Sequence, residues 1–291
     1  MSSGLVLIDK PSGWTSHDVV ARVRRMANTR RVGHAGTLDP MATGLLILGA
    51  EQSTKLLTFL VGQDKTYLAT IRLGQETVSD DAEGDVTQTA DRDRIDAVTT
   101  EAIEAEIKKL TGNILQTPSQ VSAIKVAGKR AYDLVREGVE VELKARPVTV
   151  SRFEVEGVTR ESGFIDIEVA VDCSSGTYIR ALARDLGNAL GIGGHLTALR
   201  RTRVGPFSVE TAIAVDEIEA ARLIRPAMVA GQIMPVLKVT EQESIDLGHG
   251  KRIKCVAPNS DATAAIFGEA LVAIVGITNG EARVVTGFLH D

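Results

Sequence analysis

The chain has 291 residues, 44% hydrophobic and 24% charged, with a formal net charge of −5. This excludes a disordered chain, and the length exceeds one domain of about 100–200 residues, so a large domain with a small appendage is expected. Cys173 and Cys255 stand far apart with no second ligand at metal-binding spacing, which argues against a zinc site and a disulfide framework and for two inert thiols.

Leu5 to Ile8 reads as a buried strand ended by the turn Lys10-Pro11-Ser12-Gly13. With Asp9 and Lys10 following so soon, this apolar run is too short for a secretory or membrane-spanning segment, and a cytoplasmic protein with no membrane attachment is expected. Ser16 is placed to cap a helix with the apolar stripe Val19, Val20, Val23 and Met26. A glycine-punctuated loop, Gly33 to Gly44, precedes a strand at Leu45 to Leu48 and an amphipathic helix carrying Leu56, Leu57, Leu60 and Val61. Tyr67, Ala69, Ile71 and Leu73 alternate as a strand, and the acidic stretch Ser79 to Asp93 reads as a solvated surface excursion.

Ile103, Ile107 and Leu110 keep helical spacing, whereas Val121 to Val141 has no sustained period and reads as a surface flap. Val148, Val150 and Val155, then Ile165, Ile167, Val169 and Val171, alternate as two strands. Ile179, Leu182, Ala183, Leu186 and Leu190 form a helical stripe stopped at Gly191. Strands and helices interleave without a regular strand-helix-strand rhythm, which predicts an α+β fold with a mixed, largely antiparallel sheet. From about Pro235 the pattern changes to short strands, Ala270 to Ile277 and Ala282 to Phe288, joined at Asn279-Gly280. Two domains are expected, residues 1–232 and a small β-rich one at 233–291.

Basic residues cluster despite the acidic total. Arg22, Arg24, Arg25, Arg30 and Arg31 form one group, Lys125, Lys129, Arg130 and Arg136 a second, and Arg180, Arg184, Arg200, Arg201 and Arg203 a third. The net charge has the wrong sign for approaching a polyphosphate, and any one of these clusters reads as a solvated face, but three on an acidic chain are harder to dismiss.

The run Gly33-His34-Ala35-Gly36-Thr37-Leu38-Asp39-Pro40-Met41-Ala42-Thr43-Gly44 is too rich in glycine and polar groups for a core element. On spacing alone Asp39 before Pro40 is a turn former, and Gly36 and Gly44 supply positive φ. The same reading leaves Tyr67 and Leu199 as core residues, Arg180 as a snorkelling helix residue and His34 as a satisfied loop polar group. The glycines match neither dinucleotide-binding nor P-loop spacing.

The whole run closely resembles the signature of the TruB family of tRNA pseudouridine synthases. The similarity continues, in order and spacing, through Lys10-Pro11-Ser12-Gly13, Asp64-Lys65-Thr66-Tyr67, Arg72-Leu73-Gly74-Gln75, Ser122-Ala123-Ile124-Lys125, Ser175-Gly176-Thr177-Tyr178-Ile179-Arg180 and Leu199-Arg200-Arg201, and fades after about Phe207. It implies the pseudouridine synthase fold, a thumb-loop insertion at about 116–147 and a PUA-like C-terminal domain. By the resemblance Asp39 is the catalytic carboxylate, Arg180 its partner and Tyr67 the ring that stacks on the target base. His34 contacts the flipped region of the RNA, Tyr178 and Leu199 complete the pocket, and Lys10, Lys125, Lys129 and Arg130 also meet the substrate. The implied reaction isomerises the T-loop uridine at position 55 of tRNA after flipping it out, with no cofactor or metal, by a monomer bound to the T-arm. A carboxylate suits it as nucleophile, as stabiliser of an oxocarbenium-like sugar or as proton acceptor. A guide-RNA-dependent catalytic subunit, an RNA-folding chaperone and a catalytically silent relative are the competing readings.

Overall fold

The computed structural model describes residues 3–121, 125–126, 129–130, 143–161, 163–220 and 223–288, with backbone alone at 125–126, 129–130 and 219–220. In chain order the elements are β1 (Gly4–Lys10), α1 (Ser16–Met26), β2 (Val32–His34), β3 (Thr43–Ala50), α2 (Leu57–Val61), β4 (Lys65–Leu73), β5 (Gln75–Thr77), β6 (Val86–Thr89), α3 (Arg92–Asp96), α4 (Thr100–Lys109) and β7 (Gly112–Gln116). There follow β8 (Lys125–Val126), β9 (Lys129–Arg130), β10 (Arg146–Glu161), β11 (Phe164–Cys173), α5 (Ile179–Ala189), β12 (Gly194–Val204), β13 (Phe207–Ser208), β14 (Ile213–Ala214), α6 (Pro226–Ile233) and β15 (Val236–Lys238). The chain closes with α7 (Glu241–Gly248), β16 (Ile253–Lys254), β17 (Ser260–Phe267), β18 (Ala270–Thr278) and β19 (Glu281–Gly287).

Two compact units emerge: Met1–Pro40 with Gly44–Gly62 and Gly205–Asp291, and Met41–Thr43 with Gln63–Val204. In the first, β1 lies between a parallel β14 and an antiparallel β3, and β2 also pairs with β3. In the second, the antiparallel order is β12-β4-β11-β10-β7. Alternation explains β4: Lys65, Tyr67, Ala69, Ile71 and Leu73 are buried while the residues between them are partly or fully exposed. The buried face is covered by α5, whose Leu182, Ala183 and Leu186 are each 0% exposed. Gly187 seats that helix, because a Cβ there would meet the Gly193 carbonyl carbon at 2.1 Å.

The first unit also contains a five-stranded sheet, β15-β17-β18-β19-β16, parallel at β15–β17 and antiparallel elsewhere. Val239, Leu247, Ile253, Ala265, Val272, Ala273, Val275, Ile277 and Ala282 form its apolar cluster. Asn279 (φ 52°) and Gly280 (φ 78°) make the tight hairpin turn that the sequence announces.

Three local expectations are corrected. Thr15 caps α1 through a capping box with Asp18, while Ser16 turns inward. The helix expected around Leu56 to Val61 is a 3-10 turn at Glu51–Leu56 followed by the short α2. The acidic excursion is only partly solvated: Ser79 and Asp81 are buried, the latter at 3% exposure, because a guanidinium waits for the carboxylate. The expected flap falls mostly outside the described residues.

Candidate active site

The Asp39 loop is tied down on both sides of the carboxylate. Ser16 Oγ donates to the Leu38 carbonyl at 3.1 Å and accepts from the Leu38 N–H at 3.0 Å. On the other flank the Pro40 carbonyl accepts from the Gly13 N–H at 2.9 Å and from Lys10 Nζ at 3.2 Å. Lys10 is 0% exposed, and its ammonium also donates to the carbonyls of Trp14 at 2.6 Å and Pro11 at 2.9 Å. The turn expected at Lys10–Gly13 thus gives the loop its anchor, and Asp39, partly exposed between two fixed neighbours, has little backbone freedom. His34 ends β2 opposite Leu48, and its ring meets the edge of the His17 ring with centroids 6.2 Å apart.

In the second unit Tyr67 and Leu199 share the buried face of neighbouring strands. Tyr67 pairs with Arg201 and Leu199 with Ala69 across β4 and β12, so the two side chains are diagonal neighbours; each is 8% exposed. Val171 flanks Tyr67 from β11. Arg201, at 1% exposure, places a buried guanidinium beside the phenol's strand position. Lys65, two residues before Tyr67, is lowered from 10.5 to about 8 by burial and then by Arg201. Directly opposite Lys65 on β11, burial pushes the Cys173 thiol up to about 11.

Arg180, the second residue of α5, is 5% exposed and is held by several acceptors within its own unit. Nη1 donates to the Ser79 carbonyl at 2.8 Å and to Ser119 Oγ at 3.4 Å, and lies 3.4 Å from Asp81 Oδ2; Nη2 donates to the Val121 carbonyl at 2.8 Å. Asp81 is itself braced by Ser79 Oγ and by the Glu83 N–H at 3.1 Å. Tyr178 is the residue before the helix, its backbone clipped by Gln116, which accepts from the Tyr178 N–H at 2.8 Å and donates to its carbonyl at 3.1 Å.

Sequence reasoning missed Asp81, Ser16 and Gln116. Asp81 sat in an acidic run that charge alone marks as solvated, yet two arginines one turn apart on an apolar helix demanded buried partners. Ser16 reads as a cap in sequence, and nothing in its spacing shows that Leu38 needs it. The backbones of Lys125 and Arg130 pair in a two-stranded ladder, while the side chains of Lys125, Lys129 and Arg130 lie outside the described residues. Among the described residues no three His, Cys, Asp or Glu side chains group as for a metal ion. None of the helices among them is long and apolar enough to cross a membrane.

Residues 24–179 match the model of the TruB family pseudouridylate synthase N-terminal domain, and residues 180–241 that of the tRNA pseudouridylate synthase B C-terminal domain. The tRNA pseudouridine synthase B of Paenarthrobacter aurescens is 52% identical over 300 residues, covering 99% of this chain and 96% of that protein. Its counterpart from Leifsonia xyli subsp. xyli is 53% identical over 296 residues, covering 100% and 98%. That of Mycolicibacterium paratuberculosis is 63% identical over 221 residues, covering 76% and 74%. Among solved structures, an H/ACA RNP bound to a substrate RNA containing 2'-deoxyuridine aligns with a TM-score of 0.72 at 25% identity, covering 99% of this chain and 85% of that one. A Cbf5-Nop10-Gar1 complex aligns with a TM-score of 0.71 at 25% identity, covering 99% and 84%. The α+β fold read from the sequence agrees with both.

Proposed function

The chain belongs to the TruB family of pseudouridylate synthases, and from that premise we propose that it isomerises the uridine at position 55 of the tRNA T loop, alone and without a guide RNA. The observation that carries this reading is the Asp39 loop, whose carboxylate-bearing residue is bracketed by the Ser16–Leu38 exchange and the doubly bonded Pro40 carbonyl. The reaction breaks the N1–C1′ bond, turns the uracil and forms C5–C1′; the proton lost from C5 is balanced by the one gained at N1. A fixed carboxylate serves the step at which the sugar carbon becomes electron-poor. Arg180 favours the Asp39 anion, Tyr67 stacks on the extruded base, and Leu199, Tyr178 and His34 line its surroundings.

Lys10, expected among the substrate contacts, we read as a positioning residue for the loop, because its ammonium donates to the backbone carbonyls of Pro11, Trp14 and Pro40. Lys125, Lys129 and Arg130 attract phosphates of the T-arm, so binding weakens steeply with salt. We read residues 1–232 as the catalytic domain and 233–291 as a small PUA-like domain, in a monomer of the cytoplasm. The guide-dependent alternative draws on the H/ACA likeness, while the curated relatives at 52–63% identity carry the name of a tRNA enzyme.

The test is tritium release from T-arm RNA labelled at uracil C5, with purified protein, no guide RNA and no added metal. Release by the native chain, absent in Asp39→Asn and mapped to the T-loop uridine, is the expected result. Tight RNA binding with no release overturns the stand-alone enzyme.

A further inference from the structure

Arg180 has a companion one helical turn later that the reaction as proposed does not use. Arg184 Nη1 lies 3.3 Å from Asp80 Oδ2, its Nη2 donates to the Thr117 carbonyl at 2.7 Å, and Nη1 reaches the Pro118 carbonyl at 3.5 Å. Nε and Nη2 also donate to Asp185 Oδ1 at 2.9 and 2.8 Å. Arg180 grips the adjoining residues of the same two segments, Ser79 and Asp81 on one side and Ser119 and Val121 on the other. Two guanidinium groups therefore stitch residues 79–81 and 117–121 to α5 in parallel, each taking one of two consecutive aspartates.

The local backbone is shaped for this. Asp80 adopts φ 60°, a left-handed conformation that Asp tolerates better than most residues. Its carbonyl accepts from the Leu196 N–H at 3.1 Å, and Thr77 Oγ1 donates to the Asp81 carbonyl at 2.7 Å. A buried ion pair is a weak source of net stability, since apolar residues of equal volume fold as well or better. A buried pair, Arg180–Asp81, with the half-buried Arg184–Asp80 pair beside it on a left-handed turn is better explained by a positional demand.

We propose that Arg184 and Asp80 form a positioning clamp for Arg180, holding the 79–81 turn and the 117–121 run so that the Arg180 guanidinium keeps the orientation its catalytic duty needs. The clamp rests on the reading of Arg180 as the partner of Asp39. Arg184 touches no substrate; its effect passes through the acceptors that Arg180 shares with it.

The charge of Asp80 gives the clamp a signature that simple scaffolding lacks. Burial raises the Asp80 carboxyl and Asp185 adds to that, whereas Arg184 first, then the Ser119 hydrogen bond and Arg180, pull it down; Asp81 is its chain neighbour. Burial prevails, so Asp80 sits above the ordinary carboxylate range, and its protonation undoes the pair with Arg184 as Asp80→Asn does.

The experiment measures single-turnover pseudouridine formation at saturating T-arm RNA, RNA affinity by filter binding, and thermal unfolding, for the native chain, Arg184→Gln, Arg184→Lys, Asp80→Asn and Arg184→Gln/Asp80→Asn. A misplaced Arg180 slows Arg184→Gln and Asp80→Asn by between about 10- and 100-fold with affinity unchanged, and the double variant is no slower than the worse single one. Arg184→Lys recovers part of the rate, because an ammonium reaches Asp80 but not both carbonyls as well. The native rate falls toward acid pH as Asp80 takes its proton and lets go of Arg184, and Asp80→Asn and Arg184→Gln each lose that part of the slope. A native rate in Arg184→Gln, or a loss no greater than its unfolded fraction at the assay temperature, overturns the clamp. A native chain that makes no pseudouridine sinks the functional reading and the clamp with it, whereas an active native chain with an equally active Arg184→Gln sinks the clamp alone.

Discussion

The Asp39 loop and the C-terminal five-stranded sheet are fixed by different forces. The loop is held by a few directional bonds drawn from residues far away in sequence: Ser16 to Leu38, Gly13 to Pro40 and Lys10 to Pro40. The sheet is held by apolar burial spread over Val239, Leu247, Ile253, Val272, Val275, Ile277 and others, with one obligatory turn at Asn279-Gly280. A site that must hold a carboxylate to within a fraction of an ångström uses bonds with direction, and a region that need only stay folded uses contacts without it. Changes of a single atom should therefore be felt in the rate when made around the loop and in stability when made in the sheet.

The sharpest contrast comes from Asp39→Asn, which preserves shape and removes the anion. Its rate should fall by roughly 10⁴-fold while its urea midpoint stays native, the order of loss seen when one member of a catalytic unit is deleted; a residual rate within tenfold of native would break the assignment. Lys10→Met comes next, because three carbonyls lose a charged donor in a fully buried place. It should cost about 2–4 kcal/mol of stability and slow single turnover by about 10- to 100-fold, with RNA affinity retained. If affinity collapsed while the rate at saturation held, Lys10 would be a substrate contact after all. Ser16→Ala strips Leu38 of two bonds at once and should cost about 1–3 kcal/mol with a milder rate defect, read by the same pair of assays. Ile277→Ala reverses the pattern: roughly 2–5 kcal/mol of stability lost from the sheet's core, and a native rate below the melting range. A rate defect there equal to that of Ser16→Ala would erase the distinction between the two regions.

The same difference in forces decides what could be read in the sequence. Alternation along Lys65–Leu73, the helical stripe from Ile179 and the Asn279-Gly280 turn were legible because each is a local pattern with a local cause. Ser16 looks like a cap in sequence, but Thr15 and Asp18 satisfy the helix between them and the Ser16 partner lies 22 residues away. Asp80 and Asp81 read as solvated in sequence because nothing nearby shows the guanidinium groups about a hundred residues later. Asp39 itself came from the resemblance of its motif, since spacing alone made it an ordinary turn former.

The smallest effect concerns the buried pair Lys65 and Cys173, which face one another across β4 and β11. Lys65 titrates near 8 in the fold against 10.5 ordinarily, so between those values the unfolded chain binds the extra proton and stability rises with pH. Cys173 titrates near 11 against 9.0, so between those values the folded chain binds the extra proton and stability falls with pH. Below pH 9 only Lys65 acts, and from 9 to 10.5 the two oppose each other. The native chain should accordingly gain on the order of 1 kcal/mol from pH 8 to 9 and then level off. In Cys173→Ala the rise should continue to about pH 10.5, and in Lys65→Met it should vanish, leaving only the decline above pH 9. Urea unfolding of the three proteins at half-unit pH steps reads these differences directly. Parallel curves for the native chain and Lys65→Met would mean that Lys65 keeps its ordinary affinity for a proton despite its burial beside Arg201.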